Sequence, residues 1–416
     1  MEFARGVRYH FIPSKKYKTN QIKVRFASEI NANRVGNRIL VASMLGLANQ
    51  MYPSSQEFRE HLANMYGAEF STNIFRRGLI HYVDIDVSFV RDDFLSKKNT
   101  LTSEAIRILR GSLYAPLAED GSFEQSAFQI EKRNLLLEIK SQMEDPYFES
   151  HSALNHLFFE DDRMAIPKLG TESIIEQVTP HSAYEELSRM LVEDQIDIFF
   201  MGDFNQLEVE EHLSKFSFKD RDVDLQLTYQ QEFTNVVSDN VSQRDINQSI
   251  LEIGYHFPTQ YGDEMHLPLI LVNSLLGGFA NSKLFVNVRE KEGLAYTISS
   301  SMDIFSGFLR MYAGIDASNR MRAFTIMNRQ LSDIKRGKFT EKDLQECKRM
   351  VKNTTLLSMD RQQTIIERNY FQTILKHRFL PLEDWLEKIE NITKEDIIRA
   401  AKEVQLQSIF FLEGKR

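Results

Sequence analysis

Residues 83 to 89 alternate strictly: Val83, Ile85, Val87 and Phe89 are apolar, and Asp84, Asp86 and Ser88 between them are polar. A two-residue period puts one set on each face of a strand, so the segment predicts a half-buried β-strand. A different spacing precedes it. Pro53-Ser54-Ser55 reads as a helix start, Phe58, Leu62 and Met65 form an apolar face, and Gly67 is placed to end the helix. The same succession returns late in the chain. There Asn281-Ser282 predicts a helix cap, Leu284, Phe285 and Val288 lie within the helix, and Gly293 ends it before a strand at Leu294 to Ile298. Strands mixed with long helices predict an α+β architecture.

Wider spacing shows that the pattern repeats at half-length. Ile198-Phe199-Phe200 and Ile409-Phe410-Phe411 each continue a β-like run. A helix start precedes both, at Thr179-Pro180 and at Thr393. Earlier still, Phe123 to Ile139 and Phe339 to Val351 read as long polar helices carrying Lys-Arg pairs. Helix, helix and strand in one order at matching offsets predict two related halves, 1–218 and 247–416. The intervening 219–246, polar and poor in core residues, reads as a linker.

Composition narrows the classes of function. The 416 residues, 42% hydrophobic and 26% charged, describe a globular chain with room for two or three domains. A formal charge of −8 argues against nucleic acid, whose binders carry basic faces. Cys347 is the only cysteine, which excludes an intrachain disulfide and a cysteine-built zinc site. No apolar run is long enough for a membrane span, and the N-terminal residues lack a signal-peptide pattern. The expected location is the cytoplasm.

Leu275-Leu276-Gly277-Gly278-Phe279-Ala280-Asn281-Ser282-Lys283-Leu284-Phe285, with Val288-Arg289-Glu290-Lys291-Glu292-Gly293-Leu294-Ala295-Tyr296, resembles a signature of the pitrilysin/insulinase/processing-peptidase family. Pro53 to Ala68 is similar to the helix and Gly-Ala turn that follow that family's zinc motif. The resemblance implies two similar halves, each an α/β roll of mixed, mainly antiparallel sheet with helices packed on it, closing like a clam.

Catalytic members carry His-x-x-Glu-His, whose two histidines share a helical face and whose glutamate takes a proton from metal-bound water. By the family's spacing the motif falls at 41–45, where this chain has Val41-Ala42-Ser43-Met44-Leu45. Valine and leucine have no donor atoms, and methionine cannot act as a base. Glu131 and Glu138 resemble the acidic positions of the family's later helix, but a hydrolytic zinc site needs three protein ligands. Both therefore read as remnants, and no metal is expected on this chain. Glu60-His61 imitates part of the motif too close to Gly67, and reads as an exposed pair. His151 and His156 are spaced poorly for one helical face.

The resemblance implies substrate contacts at the other end. Arg289 and Tyr296 match an arginine and a tyrosine that contact substrate carbonyl oxygens near the cleaved bond. Missing side chains at Gly277 and Gly278 would admit a peptide backbone. Among bacterial relatives that divide labour between subunits, one chain carries zinc and the other this pair. The expectation is a non-zinc subunit, inactive alone, that pairs with a homologous zinc-bearing chain carrying His-x-x-Glu-His to cleave short or unfolded peptides. A homodimer is admitted for the isolated chain. The alternative is a catalytically inert peptide-binding or structural scaffold of the same fold.

Overall fold

The computed structural model describes residues 2–95 and 101–415. The strands of the first large sheet are β1 (Glu2–Ala4), β2 (Val7–Pro13), β3 (Thr19–Glu29), β4 (Glu69–Arg77), β5 (Ile80–Val90) and β6 (Gln195–Gly202), and the short segments Ala118–Glu119 and Ser122–Phe123 pair separately. Among them run α1 (Ala32–Leu47), α2 (Ser55–Asn64), α3 (Leu101–Tyr114), α4 (Gln125–Glu144), α5 (Pro146–Phe158) and α6 (Pro180–Glu193). Further on are β7 (Ser238–Arg244), β8 (Ser249–His256), α7 (His266–Asn273), β9 (Ala295–Asp303), β10 (Phe308–Ile315), α8 (Arg320–Lys335), α9 (Glu341–Ser358), α10 (Lys394–Glu403) and β11 (Gln405–Gly414).

The chain divides into two compact units, Met1–Ser141 with Ile166–Leu227, and Gln142–Ala165 with Thr228–Arg416. They are not the contiguous halves that the sequence suggests. Residues 142–165 belong to the second unit because α5 packs on β8 and β11. Phe158 sits 4.4 Å from the ring of Phe308, and the Tyr147 hydroxyl donates to Gln248 at 3.1 Å. Nor is 219–246 a plain linker. Its later part forms β7, whose polar residues suit an edge strand with one face open.

In the first unit a six-stranded sheet has the order β1-β2-β6-β3-β5-β4, and in the second a five-stranded sheet has the order β9-β10-β8-β11-β7. Each has one parallel pair, β2 with β6 and β7 with β11, followed by antiparallel neighbours in the same succession. The repeated Ile-Phe-Phe marks equivalent strands: Ile198 lies opposite Val24 and Ile409 opposite Ile253. Thr179 and Thr393 both close capping boxes. In each half a lysine of the long polar helix also reaches backbone carbonyls ahead of that cap. Lys132 donates to Glu176 and Val178, and Lys348 donates to Glu390. The mixed α+β class and the repeated halves are therefore as expected.

One face of the first sheet meets the helices. Val24, Phe26, Val83, Ile85 and Val87 share a core with Leu40, Leu45, Leu109, Leu187 and Met190. The other face departs from the expected half-buried strand, since Asp84 and Asp86 are buried as well. They are held there by opposite charge. Arg25 donates to both oxygens of Asp84 at 2.8 and 2.7 Å, and Lys23 reaches Asp84 at 2.8 Å and Asp86 at 3.0 Å. Alternation revealed the period but not that the polar face would find partners.

Burial alone would raise the Asp84 carboxyl, but Arg25 and Lys23 outweigh it and hold the group below its ordinary value. A depressed folded-state pKa stabilises the fold above the unfolded carboxylate range, and that contribution disappears as pH falls through the folded pKa. Asp84→Asn is expected to cost about 3 kcal/mol at neutral pH, because it removes the buried carboxylate that neutralises Arg25 and that Lys23 shares with Asp86. Urea unfolding followed against pH should show a shallower acid-side loss in the variant than in the parent.

Candidate functional site

The helix where the family's zinc motif falls is α1, started by Asn31, whose side chain accepts from the Asn33 amide at 2.9 Å. It turns Val41, Ala42, Met44 and Leu45 into the apolar core, and Val41 and Leu45 are fully buried. Ser43, the one polar residue, donates back to the Ile39 carbonyl at 3.4 Å. Four carbon-lined positions closed from solvent do not fit a zinc ion, and no reaction step is assigned to a metal on this chain.

The acidic remnants also point elsewhere. Glu138 is exposed, and Glu131 is half-buried on α4. Burial raises the Glu131 carboxyl, with Asn134 and Arg59 opposing. Among the described residues no group of three histidine, cysteine or acidic side chains could hold a metal. Glu60 is exposed and accepts from Gln56 at 2.8 Å. His61, expected to be exposed with it, is instead partly buried. Its ring stacks on Tyr52 at 4.3 Å and meets Glu104, which also binds Arg107.

The second region is built on irregular helix. Ser274–Gly278 and Phe285–Lys291 wind as π-helix, with wider turns than an α-helix. Such turns are uncommon and concentrate at functional sites. The expected cap at Ser282 is not formed, because among the described residues its buried hydroxyl has no hydrogen-bond partner. Gly277 lies so close to β9 that an added Cβ would stand 2.6 Å from the Ser300 amide nitrogen. Ser299 donates to the Gly277 carbonyl at 3.1 Å, fastening the helix to that strand. The missing side chain at Gly277 is thus occupied by β9, whereas Gly278 is exposed.

Arg289 and Tyr296, seven residues apart in sequence, meet in space. The Arg289 guanidinium lies 4.6 Å from the Phe285 ring centroid and 5.4 Å from that of Tyr296. Stacking of this kind orients a guanidinium without consuming its N–H donors. Among the described residues Arg289 makes no hydrogen bond or ion pair, so its donors are uncommitted. Tyr296 is 77% exposed and occupies the bulge where β9 shifts register between Ala295 and Thr297. Bulges re-aim side chains. β9 is an edge strand, so among the described residues one side of its backbone has no neighbour in the sheet.

The result is two hydrogen-bond donors beside an open strand edge, suited to carbonyl oxygens or a carboxylate. Sequence reading found the pair but not the bulge or the Phe285 support. An aromatic residue four positions before Arg289 was the available signal.

Residues 178–351 match the family model described as the Peptidase M16 inactive domain. A probable inactive metalloprotease of Bacillus subtilis is 28% identical over 98% of this chain and 96% of its own length. The crystal structure of a conserved protein from Enterococcus faecalis superposes with a TM-score of 0.96 at 34% identity, covering 100% of this chain and 98% of that one. A peptidase M16 inactive domain from Pseudomonas fluorescens shares the fold, with a TM-score of 0.79 at 15% identity and coverage of 100% and 98%.

Proposed function

The chain belongs to the M16 family of pitrilysin- and insulinase-like metallopeptidases, and on that premise we propose that it is a metal-free member that completes the active site of a zinc-bearing homologue. The observation carrying this reading is the stacked, uncommitted Arg289 beside the exposed Tyr296. A side chain kept only for packing has no need of five outward donors. A peptide would add to the edge of β9 through main-chain hydrogen bonds, its scissile carbonyl within reach of the guanidinium and the phenol. As negative charge develops on that oxygen, both donors would strengthen their hold on it.

The zinc and the general base would come from the partner, a chain carrying His-x-x-Glu-His, and the substrate would be a short or unfolded peptide. Location in the cytoplasm agrees with the lone thiol at Cys347. Among the described residues no helix is long and apolar enough to cross a membrane.

Mixing with a zinc-bearing homologue tests the proposal. The purified chain alone should leave a quenched fluorescent peptide uncut. The pair should cleave it and co-elute on gel filtration. Peptide binding without cleavage, whatever homologue is supplied, would instead establish an inert binding or scaffold protein.

A further inference from the structure

A cavity of about 250 Å³ lies between the 275–291 segment and α9, on the same helical stretch that carries Arg289. Its charged groups divide by element. Lys283 and Lys291 come from the segment, and Asp343 and Glu346 come from α9. Among the described residues neither lysine forms an ion pair with either carboxylate. Lys291 donates to Asn287 at 3.1 Å, and Glu346 lies 3.5 Å from Arg349. Asp343 accepts from the Thr340 amide at 2.8 Å, which leaves it further acceptor capacity. Lys283 is half-buried, and its ammonium is lowered by that burial while Asp333 and Asp343 oppose the shift. Leu275 and the buried Cys347, whose thiol is pushed up to about 11 by burial, add an apolar side.

Two cations and two anions held apart across one cavity are complementary to a molecule bearing both charges. A direct lysine–carboxylate contact would satisfy them without a ligand, and the fold does not make it. The size sets a limit, since pockets for drug-sized ligands run to roughly 300–1,000 Å³. We propose that this cavity binds a small zwitterion, a free α-amino acid or a dipeptide with an aliphatic side chain. Its carboxylate faces Lys283 and Lys291, and its ammonium faces Asp343 and Glu346. The site stands apart from the Arg289–Tyr296 reading and needs no partner subunit.

Calorimetric and ligand-observed NMR titration of the full chain with L-leucine and glycyl-L-leucine tests it. At least one should bind saturably. N-acetyl-L-leucine and L-leucinamide, each lacking one charge, should bind about tenfold more weakly, as the loss of a charge-assisted contact implies. Lys283→Met and Glu346→Gln should each weaken binding by a similar factor with unchanged circular dichroism. The proposal is overturned if neither zwitterion saturates, if the capped analogues bind as tightly, or if both folded variants keep the parent affinity.

Discussion

Replacing Arg289 with alanine is expected to lower kcat/KM of the reconstituted pair by about 100- to 1,000-fold, the roughly 3–4 kcal/mol typical of removing one donor to a developing oxyanion. The loss should fall mainly on kcat. A donor that tightens only as the carbonyl oxygen gains charge stabilises the transition state more than the bound peptide. Stability should change little, because Arg289 is not fully buried and its contacts are ring stacks at 4.6 and 5.4 Å. Arg289→Lys should recover only part of the rate, since an ammonium keeps the charge but loses the planar fork. Tyr296→Phe separates the two contributions, retaining the ring beneath the guanidinium and removing the hydroxyl. Peptidase assays with unchanged kcat/KM in both Arg289→Ala and Tyr296→Phe would eliminate the trans-acting role.

The parts of the fold legible in advance are those fixed by local chemistry. Ser54 and Glu57 close the capping box that starts α2, and Phe58 and Leu62 are buried on its inner face. Gly67 ends that helix region at φ +75°, which a side-chain-bearing residue adopts only with strain. What escaped depends on partners distant in sequence. Asp84 is buried because Arg25, 59 residues earlier, meets it. The placement of α5 with the second unit has the same origin: its packing on β8 and β11 has no local signal.

The site divides in the same way. The spacing of Arg289 and Tyr296 was visible, whereas their meeting depends on a π-turn and a bulge that alter each residue's direction. Gly277 shows the reverse case. Its lack of a side chain is explained by the 2.6 Å approach of Ser300 before any ligand is considered. Gly278 is exposed, but an added Cβ there would stand 3.2 Å from the Asn273 carbonyl oxygen, so Asn273 too accounts for part of the missing side chain.

Writing the histidines back in should not recreate a metal site. Val41→His with Leu45→His is expected to destabilise the chain by about 4–6 kcal/mol in urea unfolding. Each substitution forfeits a packed aliphatic group and leaves an imidazole without a partner in the core. Zinc could repay this only if a third ligand reached the same point. Glu138 is exposed, while the side chains of Val41 and Leu45 are fully buried with Leu135 and Ile139 of α4 in the same apolar cluster. A metal held by the two histidines would have to sit inside that cluster, and a metal held by Glu138 would sit outside it. The variant should therefore emerge from zinc loading and gel filtration without stoichiometric metal. Retention of one zinc per chain at parental stability would show that α1 can rotate its 41–45 face outward, and that only donor atoms were lost.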